Sequence, residues 1–185
     1  MLFKTKKSET VYLGKAFDVR RDQVLLPDGK TTSIDVVVHP GAVTLIPVDP
    51  AGNILFVRQY RHAVGEELLE LPAGTLNEGE EPQACAYREI REETGMSAGR
   101  LEKIGEFFLV PGYSTEYMYI FLAADLKSDP LPGDADEFIT VEAIAPQQIP
   151  ELISQGLLRD AKSLSALFLA EPHLPQIKLD KKEAK

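Results

Sequence analysis

An α/β fold, with a mixed sheet covered by helices on both sides and antiparallel strands in front of it, is what this 185-residue chain predicts. Three observations point there. Short β-rich runs punctuated by Pro, Gly and Asp turns fill the N-terminal part. The stretch from Pro82 to Gly95 carries helix start and stop signals instead. Two further helical segments close the chain before a charged tail. The length suits one domain with a small appendage, and a composition 44% hydrophobic and 26% charged can bury a real core.

The elements follow in order. Residues 10–15 and 17–26 read as strands running to Pro27-Asp28-Gly29, a turn signal, and residues 33–39 as the return strand. Pro40-Gly41 ends this extension, residues 1–40. Residues 42–48 and 54–61 flank a hairpin loop at Asp49-Pro50-Ala51-Gly52-Asn53, and residues 68–71 form a short strand entering a glycine-bearing loop. In the helix that follows, Pro82 sits where a missing N–H costs nothing and Gly95 at the left-handed position past the end. Ala84, Ala86, Tyr87 and Ile90 supply its apolar stripe. Residues 101–110 and 117–123 are strands, the second apolar on both faces and therefore central in a sheet. A Pro/Asp-rich loop, 127–136, leads to a strand at 138–144. Helices at 147–155, opened by Pro146, and at 160–171, with Leu164, Leu167 and Phe168 as its stripe, complete a main domain of residues 41–172. Residues 173–185 form the tail. Mixed strands with helices on both sides suit an α/β/α sandwich.

Bulk properties exclude several functions. No apolar run reaches the roughly 18 residues of a membrane span, and the N-terminus lacks the apolar stretch of a signal peptide. Cys85 is the only cysteine, so an internal disulfide is impossible and a cytoplasmic setting is expected. A net charge of −9 offers no basic field for nucleic acid. His39, His62 and His173 have no zinc-ligand spacing.

The chemistry concentrates on the Pro82–Gly95 helix. Glu89, Glu92 and Glu93 stand at i, i+3 and i+4, so three carboxylates share one face. Such like charges raise one another's proton affinity unless a cation sits among them. Oxygen-only ligands suit Mg²⁺, with Mn²⁺ as a substitute, and these ions bind phosphate oxygens. Arg88, four residues before Glu92, can orient a carboxylate by charge-assisted hydrogen bonds.

The segment containing this helix resembles the Nudix box, Gly-x5-Glu-x7-Arg-Glu-U-x-Glu-Glu-x-Gly-U, with U a bulky aliphatic residue. The fixed positions are Gly74, Glu80, Arg88, Glu89, Ile90, Glu92, Glu93, Gly95 and Met96, without a departure. The resemblance implies a Nudix α/β/α sandwich and metal-dependent hydrolysis. It makes Glu89, Glu92, Glu93 and the Ala73 carbonyl the metal ligands, with Glu92, Glu93 and Arg88 as catalytic residues.

Neighbouring segments resemble the ADP-ribose pyrophosphatase subfamily. Pro111 lies sixteen residues after Gly95, in Val110-Pro111-Gly112-Tyr113-Ser114-Thr115-Glu116, similar to Ser-Pro-Gly-Phe-x-x-Glu with Val110 departing from Ser. Phe56-Val57-Arg58-Gln59-Tyr60-Arg61, Glu70-Leu71-Pro72-Ala73-Gly74 and Arg159-Asp160-Ala161-Lys162-Ser163 also look like that subfamily. The implied reaction is hydrolysis of ADP-ribose to AMP and ribose 5-phosphate. The rivals are another nucleoside diphosphate sugar, such as GDP-mannose, and a catalytically silent ADP-ribose-sensing module. Substrate contacts are expected from Arg61, ahead of Arg58, and from Glu116, Pro111 and Gly112. Glu137 is the expected general base, with Asp136 in reserve. The resemblance further implies a homodimer with exchanged N-terminal strands, bringing Phe17, Arg20 and Arg21 to a neighbour's pocket.

Overall fold

The computed structural model describes residues 2–133 and 137–174. The chain divides into two compact units, Met1–Gly41 with Phe107–Tyr117, and Ala42–Glu106 with Met118–Lys185.

The first unit is built on an antiparallel sheet of β1 (Lys4–Leu13), β2 (Asp18–Leu25) and β3 (Thr31–Val38), in the order β1-β2-β3. Strand β1 begins at Lys4, six residues before the expected start. Lys4, Lys6 and Lys7 hide it from a reading based on apolar alternation, because main-chain pairing with β2 defines this strand and all ten of its residues are exposed. Irregularities between Thr5 and Lys7 and between Thr10 and Tyr12 break its register. Residues 107–117 dock on β3: Val37 donates to the Tyr113 carbonyl (2.8 Å), and Thr115 donates back to the Val37 carbonyl (2.9 Å).

In the second unit, β4 (Ala42–Pro47) pairs parallel with β9 (Tyr117–Ser128) and antiparallel with β7 (Ala73–Thr75). With β8 (Met96–Phe108) they form a mixed sheet in the order β7-β4-β9-β8. β9 is central, as its two apolar faces predict. β7, only three residues long, lies where an irregular loop was expected, and β8 stops before Leu109. A second, antiparallel sheet joins β10 (Ile139–Ile144), β5 (Ile54–Arg61) and β6 (Glu66–Glu70) in the order β10-β5-β6.

Among the described residues three helices complete the unit: α1 (Pro82–Thr94), α2 (Ile149–Ser154), preceded by a 3₁₀ turn at Pro146–Gln148, and α3 (Ala161–Ala170). Both α1 and α3 pack on β4, whose six residues are all buried. Val43 and Leu45 cluster with Cys85, Ala86 and Ile90 of α1. Thr44 and Ile46 occupy the other face by strand alternation and are equally buried.

The helix faces differ from those expected. Ala84 and Tyr87 are exposed, because Glu89 and Glu93 claim the inner face, which Ala86, Ile90 and the small Cys85 share. On α3 Phe168, expected in the apolar stripe, is 66% exposed. Lys162 and Ser163 take the buried face there, drawn in by polar partners described below. Among the described residues no helix is long and apolar enough to cross a membrane.

Candidate active site

Pro82 and Gly95 bound the helix that carries the acids. Pro occupies its first turn, and Gly95 (φ 70°) donates to the Arg91 carbonyl at 3.1 Å. Glu89 and Glu93 stand one turn apart on the inner face, only 8% and 6% exposed. Glu92 is less buried. The Glu89 carboxyl lies against the Gly74 backbone: a Cβ at residue 74 would fall 1.8 Å from it. The Glu93 carboxylate accepts the Ala73 N–H at 2.9 Å. The acids of α1 and the β7 backbone therefore face each other.

Burial pushes the Glu89 carboxyl up to about 7, against the pull of Arg88, and the Glu93 carboxyl up to about 8, against the Ala73 hydrogen bond. Glu137 adds to both shifts, so this exposed residue stands within electrostatic reach of both acids. Asp136 lies outside the described residues.

Arg88 does more than make an i,i+4 pair. Its Nε and Nη2 fork onto Glu80 at 3.0 and 2.8 Å, its Nη1 reaches Glu89 at 2.5 Å and Glu92 at 2.9 Å, and Nη2 also meets the Thr75 carbonyl at 3.2 Å. Those bonds, foremost among the causes, hold the Glu80 carboxyl down at about 2.

A second polar cluster borders the acids. Arg61 forks onto Glu70 (2.9 and 2.7 Å), and Lys162 donates to the same carboxylate and to Asp160 (2.8 Å). Burial alone would raise Glu70, yet Arg61 and Lys162 together hold it below the usual carboxylate range. Asp160 caps α3 through the Ser163 N–H (3.0 Å) and Oγ (2.6 Å), and Ser163 Oγ accepts the Leu71 N–H (2.7 Å). Arg61 and Lys162 also act electrostatically on or with Glu93. Arg58, by contrast, bonds Glu142 of β10 at 2.6 Å, so the two arginines have separate partners.

The remaining candidates belong to the first unit. Pro111 and Gly112 form an exposed turn closed by Tyr113 and Ser114 amides on the Val110 carbonyl. The Glu116 amide donates to Ser114 Oγ (3.1 Å). Phe17 is 45% exposed beside Tyr12, Arg20 pairs with Asp22 (3.0 Å) and Arg21 with Asp35 (2.7 Å).

Metal chemistry is tested by the donors. They are all oxygens, two are buried carboxyls whose charge burial disfavours, and the cleared space at Gly74 sets one against the β7 backbone. This fits a hard divalent cation. Among the described residues no three acidic, His or Cys side chains already stand at metal-binding spacing. Arg88 holds oxygens of Glu89 and Glu92, and Ala73 holds one of Glu93, so those groups must share or release these bonds to a metal.

Sequence reasoning missed Glu70 and Lys162 as a site-bordering pair, and Arg91 with Asp129. An Asp three residues before Ser at a helix start signals the α3 cap. A basic residue in the last turn of α1 is the corresponding signal for Arg91.

Comparison with known proteins covers both ends of this arrangement. Residues 38–167 match the family model of the NUDIX domain, and residues 3–34 that of the nucleoside diphosphate sugar hydrolase N-terminal domain. The chain is 37% identical over 166 residues to an ADP-ribose pyrophosphatase of Bacillus subtilis (strain 168), spanning 89% of this chain and 90% of that protein. It is 44% identical over 126 residues to an ADP-ribose pyrophosphatase of Mycobacterium tuberculosis (strain ATCC 25618 / H37Rv), spanning 68% and 61%. A crystal structure of an ADP compounds hydrolase has a TM-score of 0.85 at 23% identity, covering 97% of this chain and 98% of that one, a likeness of fold.

Proposed function

The chain belongs to the NUDIX family and is a Nudix hydrolase, and on that premise we propose that it cleaves the pyrophosphate bond of a nucleoside diphosphate sugar, ADP-ribose foremost, to give AMP and ribose 5-phosphate. One observation carries this reading: two buried carboxyls, Glu89 and Glu93, whose charged forms burial disfavours, meet the Ala73–Gly74 backbone. The ADP-ribose pyrophosphatase relatives and the N-terminal match support the substrate class.

Glu89, Glu92, Glu93 and the Ala73 carbonyl would hold Mg²⁺, which when bound supplies a Lewis acid for phosphoryl oxygens and lowers the pKa of an attacking water. Arg88 orients two of those carboxylates through its fork. Glu137 takes the proton of the water, since it is exposed and within electrostatic reach of the Glu89–Glu93 pair. Arg61 is the phosphate-facing arginine, since it shares the electrostatic surroundings of Glu93 whereas Arg58 bonds Glu142. Base and sugar recognition by Phe17, Arg20, Pro111, Gly112 and Glu116 is proposed from the subfamily resemblance, as is a homodimer exchanging N-terminal strands. The exposure of all of β1 supports the latter.

The test is product analysis with Mg²⁺ and equal concentrations of ADP-ribose, GDP-mannose, ADP-glucose and NADH. Fastest release of AMP and ribose 5-phosphate from ADP-ribose is expected. Faster turnover of another compound keeps the hydrolase and overturns the substrate, while silence across the panel favours a sensing module.

A further inference from the structure

We propose that Arg91 is a positioning residue, which clamps the chain leaving β9 onto the C-terminal end of α1 and so holds Glu137 toward Glu89 and Glu93. The proposal rests on the reading of Glu137 as proton acceptor. Arg91 fills the one unspecified position between Ile90 and Glu92 in the motif, so the family pattern gives it no role.

The last carbonyls of a helix need donors from outside it. Here residues Asp129 to Leu131 provide them. The Asp129 N–H donates to the Gly95 carbonyl at 2.9 Å and the Leu131 N–H to the Arg91 carbonyl at 3.2 Å. Arg91 returns the contact, Nε to the Asp129 carbonyl and Nη2 to its Oδ1, both at 3.1 Å. Main chain and side chain thus bind the same short segment twice over. A Cβ on Gly95 would touch Pro130 at 3.8 Å, and one on Gly133 would lie 3.6 Å from the Glu92 carbonyl, so the described segment follows the end of α1. Glu137 comes six residues after Leu131 and two before Ile139, which opens β10 opposite Gln59 of β5. The acid therefore sits between two fixed points.

Arg91 and Asp129 are 31% and 50% exposed, and a pair so open adds little to stability. Its value is in placement. A proton acceptor must come within hydrogen-bond reach of its water, and a displacement of about 1 Å can cost about a hundredfold in rate.

The experiment is a double-mutant cycle between Arg91→Ala and Glu137→Gln, joined to hydrogen exchange on metal-free protein. Arg91→Ala is expected to lower kcat about tenfold with KM little changed, and Arg91→Lys to recover most of it. Amides of Asp129 and Leu131 should exchange faster in Arg91→Ala. In the Glu137→Gln background, Arg91→Ala should then cost nothing further. Parent-like kcat in Arg91→Ala, unchanged exchange at those amides, or losses that multiply in the double variant would each overturn the clamp. If Glu137→Gln turned over like the parent while Arg91→Ala did not, the proton-acceptor assignment would fall, and positioning through Glu137 with it.

Discussion

Gly74 and Glu89 occupy what would be the same space if residue 74 bore a side chain, since the missing Cβ would lie 1.8 Å from the carboxyl carbon of Glu89. The obstructing atoms are the end of a flexible side chain, so an added methyl displaces the carboxyl more readily than the backbone. Gly74→Ala should therefore keep its fold, with a melting temperature within a few degrees of the parent, and lose about a hundredfold or more in kcat. Calorimetry and steady-state kinetics on the same preparation check both halves. Near-parent turnover would show that the placement of Glu89 is not needed.

Acid placement also sets the pH dependence of stability without metal. Glu89 and Glu93, with pKa values of about 7 and about 8, titrate above the ordinary 4.5. Between those limits the folded chain keeps protons that the unfolded chain has released. Stability contributed by the protonated acids is thus full below about pH 4.5 and is lost as pH rises to about 8. Glu80, held at about 2, works oppositely: its contribution is present above 4.5 and lost as pH falls toward 2. In EDTA the melting temperature should decline from pH 5 to pH 8, and Glu93→Gln should flatten that decline. Added Mg²⁺ should stabilise more at pH 8 than at pH 6. A metal-free melting temperature rising steadily to pH 8 would contradict this.

Glu70, 1% exposed, depends on both Arg61 and Lys162. Lys162→Met should cost about 3 kcal/mol in denaturant unfolding, because it leaves a buried carboxylate with half its compensation. Lys162→Met with Glu70→Gln should recover part of the loss. A cost under about 1 kcal/mol in the single variant would mean that Arg61 suffices.

The exposed strand β1, with Tyr12 and Leu13 in it and Leu2 and Phe3 just before it all more than half exposed, should find a partner in a second copy of the chain. Light scattering at micromolar concentration should give the mass of a dimer, and removing residues 1–15 should yield a monomer. A monomeric full chain would remove the exchanged-strand reading.

What could be read beforehand followed the reach of local signals. Pro82 and Gly95 announce the limits of α1, and the unbroken apolar run in β9 announces a central strand. The three glutamates declare their chemistry by spacing alone. Local pattern failed where long-range polar bonds decide which side of an element faces inward. Tyr87 looked like core and is exposed, because Glu89 and Glu93 rotate the helix toward β7. Phe168 likewise yields its place to Lys162 and Ser163, whose partners Glu70 and Leu71 lie 92 residues away in the chain. Arg91 could be seen as a helix-end cation, but Asp129 as its partner could not.

The same Leu71–Ser163 bond has a bearing on biosynthesis. Ribosomes make the chain from its N-terminus, so the whole motif is translated well before α3 exists. Until that helix emerges, the segment leading into Ala73 lacks the hydroxyl that fixes it and Glu70 lacks its lysine. Contacts spanning so much chain close slowly. A nascent polypeptide halted before Asp160 would display every motif residue and could pair β7 with β4, yet would lack the bond that holds Leu71, and competence would arrive only after α3 docks.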